Sequence, residues 1–162
     1  MSPDTFPIDA ATLTPHARPM LAIDQVLAAD ANGGRIAVNV PADAWYMNAN
    51  GRWDEIAGIE LISQAAAAVS GFILPSAASS PLVGFLAEVR QYQAIGVVYA
   101  GDALVIDVRK IAQFGGFLVM AGELRRGDTV VATAELTFWR GTLPEPSPAP
   151  SSSSKPERPT HV

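Results

Sequence analysis

The sequence predicts an α+β domain in which one long helix is enclosed by a curved antiparallel sheet. Three observations predict it. The 19 residues from Ile56 to Leu74 are apolar except for a few polar side chains, and Glu60 is the only ionisable one among them. Extended segments separated by glycine turns follow. A hydrophobic share of 49% in 162 residues supplies one good core but would be crowded as two domains. A helix apolar on nearly every side needs cover all round, which one face of a flat open sheet does not provide.

In chain order, a lead-in is followed by extended segments Met20 to Ala28 and Arg35 to Val40, divided by the turn signal Asn32-Gly33-Gly34. The alanine-rich segment 55–73 is the helix. Asp54 and Glu55 stand where the helix dipole favours negative charge, and Pro75 ends it. Strands follow at Val83 to Tyr92, Ala103 to Gln113, Phe117 to Arg125 and Val130 to Arg140. Their turns include Phe114-Gly115-Gly116 and Arg126-Gly127-Asp128. The latter is spelled like an adhesion tripeptide, but between two strands it reads as a hairpin turn. Short connections make the late strands an antiparallel meander. Such a sheet curved around one central helix is the hot-dog architecture; a cystatin-like cone or another open α+β sheet is the alternative. From Leu143 the composition turns to Pro-Glu-Pro-Ser-Pro-Ala-Pro and a serine run, too little apolar surface to offset ordering entropy. The reading is therefore one domain over residues 1–142 and a disordered Pro/Ser-rich tail over 143–162.

Composition excludes several classes. Lys plus Arg total 11 against 16 Asp plus Glu, and the net charge of -5 gives no general attraction to nucleic acid or an anionic membrane. The absence of cysteine removes disulfides, thiolate nucleophiles and Cys-based zinc sites, and two histidines are too few for a histidine-rich metal centre. No metal or other cofactor is expected. The N-terminus lacks a basic start followed by an apolar run, so a cytoplasmic protein is expected. Ile56 to Leu74 is long enough to span a bilayer, but Glu60, Ser63, Gln64 and Ser70 interrupt it, and a buried helix fits better.

The chemistry-bearing candidates are few. Glu60 and Gln64 lie one helical turn apart on one face. A carboxylate in so apolar a helix is placed where desolvation favours its protonated form, the setting of a general acid. Equally, Glu60 reads as a residue at an exposed helix end, or one paired with Arg52 or Arg90. His16 is the ordered side chain whose ordinary titration range suits proton abstraction near neutrality. Between Pro15 and Pro19 it reads also as a structural cap. Tyr46 is suited to donate a hydrogen bond, or to pack beside Trp45 and Trp53. Arg90, Arg109, Lys110, Arg125 and Arg126 form either a basic rim for a phosphate-bearing substrate arm or solvated strand ends.

The segment Pro15-His16-Ala17-Arg18-Pro19-Met20-Leu21-Ala22-Ile23-Asp24 resembles the Pro-His-Arg-x-Pro-x-Leu-x-x-Asp opening of the 3-hydroxyacyl-acyl carrier protein dehydratases. Glu60-Leu61-Ile62-Ser63-Gln64-Ala65-Ala66 resembles their Glu-Ala-Met-Ala-Gln-Ala-Ala helix motif, and Gly101-Asp102 is similar to their Pro-Gly-Asp element. The likeness spans about residues 13 to 140. One element departs: where the family has Gly-His-Phe-Pro-Gly, fourteen residues before the glutamate, this chain has Tyr46 within Ala44-Trp45-Tyr46-Met47-Asn48. The stretch from Tyr46 to Glu60 looks like the divergent dehydratase-like branch of aryl polyene pigment clusters, which also lacks that box.

The resemblance implies dehydration of a 3-hydroxyacyl thioester, on acyl carrier protein or CoA, to the 2-enoyl thioester in fatty acid or polyene-type biosynthesis. It places Glu60 on the acid side of the site; with the lead-in folded back over the helix start, His16 replaces the missing base. In the family, backbone N–H groups at the helix start polarise the thioester carbonyl, and the sites lie at a dimer interface. Gln64, Tyr46, Trp53 and Gly58 are expected to border the substrate. A homodimer, or a heterodimer with another dehydratase-like subunit, is expected. Two other functions fit the residues: a non-catalytic acyl-binding or partner subunit, and a thioesterase relying on Glu60 alone.

Overall fold

The computed structural model describes residues 6–73 and 82–142; the expected helix stop at Pro75 and the tail over 143–162 lie outside the described residues. Strand β1 (Ile8–Asp9) and a single 3-10 turn (Ala10–Thr12) precede β2 (Gln25–Asp30) and β3 (Gly33–Asn39). Helix α1 (Ala57–Ile73) follows, then β4 (Leu82–Ala94), β5 (Ala103–Phe114), β6 (Phe117–Arg126) and β7 (Thr129–Thr142). All pairings are antiparallel, and the seven strands form one sheet in the order β1-β2-β3-β5-β6-β7-β4. The sheet bends around α1, which touches β2, β3, β4, β5, β6 and β7. This is the hot-dog fold.

Alternation makes the core. Leu104, Ile106 and Val108 of β5 are buried against α1 with Leu61, Ile62, Ala65 and Val69. At Gly122 of β6 the backbone lies so close to α1 that a Cβ would collide with the Ile62 side chain. Gly115 and Gly127 adopt φ of 55° and 57° in the β5–β6 and β6–β7 turns, a left-handed conformation that favours glycine. The Arg126-Gly127-Asp128 tripeptide is thus part of the β6–β7 turn.

Three departures from the expected boundaries have a visible physical cause. The first long strand starts at Gln25, not Met20, because Leu21, Ala22 and Ile23 pack over α1 and the Ala22 N–H donates to the Gln64 side chain instead of a neighbouring strand. The helix starts at Ala57 rather than 55, since Asp54 Oδ1 accepts the Ile56 N–H at 3.1 Å in a turn before it. The lead-in also contains β1, a two-residue strand too short to show periodicity.

The enclosure is incomplete on one side. From Gly84 to Gln91 the edge strand β4 is exposed, with Phe85, Leu86 and Val89 at 53%, 40% and 40%. The facing helix residues Glu60, Ala67, Ser70 and Gly71 are only half-buried. A gap therefore opens between α1 and β4. Among the described residues no helix is long and apolar enough to cross a membrane.

Candidate active site

The gap holds a cavity of about 380 Å³, and both His16 and Glu60 line it. They come from segments far apart in sequence, so the question is what brings the lead-in onto the helix. Gly71 of α1 supplies part of the answer: it has no Cβ, and one built there would run into the Leu13 carbonyl. The Phe6 and Phe72 rings pack at 5.3 Å between centroids. Gln64 supplies the rest. Its Oε1 accepts the Ala22 N–H at 2.8 Å, and its Nε2 donates to the Met20 carbonyl at 2.8 Å and to Glu60 Oε1 at 2.7 Å. Asp24 finishes the lead-in by pairing with Arg18 and accepting the Asn39 N–H.

Glu60 sits in the first turn of α1. Arg90 pairs with Glu88, so it does not neutralise Glu60. The His16 Nδ1 is buried and makes no hydrogen bond among the described residues. The rest of the cavity wall is largely apolar, with Leu13, Leu86, Leu118 and Phe138 around the two polar groups. A carboxyl and an imidazole on one apolar cavity can act on a single small substrate centre, one taking a proton and the other giving one.

Of the expected site residues, the structure brings Glu60, His16 and Gln64 to one cavity; Tyr46, Trp53 and Gly58 do not line it. Tyr46 and Trp53 are each 3% exposed and belong to the core, and neither the Tyr46 hydroxyl nor the Trp53 Nε1 has a hydrogen-bond partner among the described residues. Burial, reinforced by Asp24 and opposed by Arg18, pushes the Tyr46 phenol above its ordinary range. Gly58 is buried beneath Tyr92, whose hydroxyl would lie 2.5 Å from an added Cβ. That hydroxyl donates to the Glu55 carbonyl. The N–H groups of Ala57, Gly58 and Ile59 donate to the carbonyls of Asp54, Glu55 and Ile56, so each is already engaged at the helix start.

The basic residues divide. Arg90, Arg125 and Arg126 form ion pairs with Glu88, Glu123 and Asp102. Asp102, in the expected Gly-Asp element, also accepts the Tyr99 N–H and so holds the turn before β5. Arg140, on the cavity wall, was legible in sequence only as the last residue of a strand.

A hot-dog domain with a helix carboxylate beside an apolar cavity belongs to the class of folds that includes dehydratases and thioesterases. Within it, the chain belongs to the ApeP-like family, described as ApeP dehydratase, whose model matches residues 8–147. Among solved structures it is similar to the dehydratase heterocomplex ApeI:P from Xenorhabdus doucetiae, with 23% identity, a TM-score of 0.73, and coverage of 83% of this chain and 92% of that one. A protein from Ralstonia eutropha JMP134 described as phenylacetic acid degradation-related aligns at 18% identity and TM-score 0.58, covering 70% of this chain and 82% of that one. A hypothetical thioesterase with coenzyme A from Streptococcus pneumoniae aligns at 14% and 0.58, covering 72% and 84%. No curated protein sequence matches the chain.

Proposed function

We propose that the protein dehydrates a 3-hydroxyacyl thioester, carried on acyl carrier protein or CoA, to the 2-enoyl thioester in the cytoplasm. His16 takes the proton from C2, the C2–H electron pair becomes the C2–C3 double bond, and the C3–O bond breaks as Glu60 gives its proton to the departing hydroxyl. Water leaves, and the protonated imidazole and the carboxylate regain their starting states by proton exchange. The observation that carries this reading is the single cavity bordered by both His16 and Glu60. Membership of a dehydratase family supports the reaction type. Gln64 acts here as a positioning residue, because both its amide hydrogens and its oxygen are engaged.

The exposed β4 edge supports a second element of the proposal, that the working unit is a pair of subunits joined along this strand. The similar Xenorhabdus structure is a heterocomplex, which favours a dehydratase-like partner over a second copy.

The test is mass spectrometry of a 3-hydroxyacyl carrier protein incubated with the protein, alone and with a co-expressed dehydratase-like partner. Loss of one water should fall by about 10²–10⁴-fold in both His16→Ala and Glu60→Gln. If both variants dehydrate at the wild-type rate, the proposed acid and base are wrong. Release of free acid and thiol, dependent on Glu60, would instead make the protein a thioesterase.

A further inference from the structure

Two rows of core-facing side chains end in cations. On β5 the buried positions Leu104, Ile106 and Val108 face α1, and the alternation brings Lys110 next onto the same face. Its register partner on β6 is the buried Met120. On β7 the inward positions Leu136 and Phe138 are followed by Arg140. Both cations are half-buried.

Lys110 and Arg140 border a second cavity of about 240 Å³, together with Asn32, Gln113 and Ser70. It shares Ser70, Leu118 and Arg140 with the cavity of Glu60, so the two form one groove along α1. No carboxylate is among the residues bordering this end, and among the described residues neither cation forms an ion pair. An anion in this space would meet two cations and no competing carboxylate. From Glu60 to Ser70 and Ile73 is about 15–20 Å along the helix at 1.5 Å per residue. The wall between is largely apolar, with Leu13, Leu118 and Phe138, while Ser63 donates its hydroxyl to the Ile59 carbonyl and the Gln64 amide is already engaged, so it suits hydrocarbon better than the amides of a pantetheine arm.

We propose that this groove holds an acyl chain bearing a carboxylate at its far end, gripped by Lys110 and Arg140 while the thioester end lies at Glu60. The inference rests on the reading of the cavity as an acyl site. It makes Lys110 and Arg140 specificity-determining residues for chains with an anionic terminus.

The experiment is calorimetric binding to the full-length Glu60→Gln protein, in which turnover is suppressed. Two phosphate-free probes are compared: the pantetheine thioester of 3-hydroxydodecanoic acid, and that of 3-hydroxydodecanedioic acid with its far carboxylate free. The dioic probe should bind about tenfold more tightly. Lys110→Met and Arg140→Met together should abolish that preference, bringing the affinities of the two probes to within about twofold of each other. Equal affinities, or a preference that survives both substitutions, would overturn the proposal. Tight binding of 4′-phosphopantetheine alone, lost in Arg140→Met, would also overturn it by assigning the cations to phosphate. If neither probe binds, the acyl-site reading itself fails.

Discussion

One amide joins the two halves of the candidate site: Gln64 donates from Nε2 to Glu60 Oε1 at 2.7 Å and to the Met20 carbonyl at 2.8 Å, and accepts the Ala22 N–H. Gln64 is 1% exposed, so water cannot replace what it supplies. Gln64→Ala strands the Met20 carbonyl and the Ala22 N–H, and should cost about 2–4 kcal/mol in urea unfolding. Gln64→Glu cannot donate to either acceptor and sets a second carboxylate one turn from Glu60. It should destabilise at least as much at neutral pH.

Tyr92 gives a pH signature. Burial, with Glu55 and Asp54 adding negative charge, pushes its phenol up to about 12 from an ordinary 10.0. The folded-state value lies above the unfolded one, so its stabilising contribution is complete below about pH 10 and is lost as pH rises toward about 12. Urea midpoints of wild type and Tyr92→Phe, taken at each pH, should differ in favour of wild type at about pH 9 and converge or cross by about pH 12. A constant difference across that window would show that Tyr92 does not titrate in this way.

The contact between β6 and α1 predicts a paired result. Gly122→Ala drives a methyl into Ile62 and should lose about 1–3 kcal/mol of stability. Adding Ile62→Ala to Gly122→Ala makes room, so the double variant should lose less than the sum of the two single changes. Additive losses would mean the two residues do not press on each other.

Along β4, Val89 is 40% exposed on the strand at the sheet edge. Val89→Lys places a charge where an added strand would lie, and should turn a pair of subunits into separate chains in sedimentation velocity, with the circular dichroism spectrum unchanged. An unaltered sedimentation coefficient would locate the interface elsewhere.

Much of this architecture was legible in the sequence because it follows from period. The helix over residues 57–73 and the four late strands show their spacing directly, and the apolarity of α1 demanded a sheet that curves around it. The lead-in was not legible, since β1 is two residues long and the Met20 carbonyl and Ala22 N–H are satisfied by a helix side chain rather than a sheet. The Glu60–Gln64 pair could be read from a four-residue spacing. Placing His16 beside it rested on the family resemblance and not on spacing, because what seats the lead-in is a set of hydrogen bonds between Gln64 and Met20 and Ala22, more than 40 residues away. Tyr46 was drawn toward the site by its distance from Glu60, yet the bridge between Met47 and Trp53 turns this segment into the core. Arg109 and Lys110 look alike as neighbours in a charged stretch. Only the register of β5 separates the exposed one from the one that faces the helix.

The seating of the lead-in on α1 has a consequence for how the site behaves on dilution. His16 and Glu60 belong to one polypeptide, and the ties that set their separation run through Gln64, Leu13 and Gly71 of that same chain. Their spacing is therefore independent of protein concentration. In the proposed pair of subunits, dissociation of the partner would unroof the cavity along β4 and admit water while leaving the two groups in place, so dilution should erode substrate affinity before it separates His16 from Glu60.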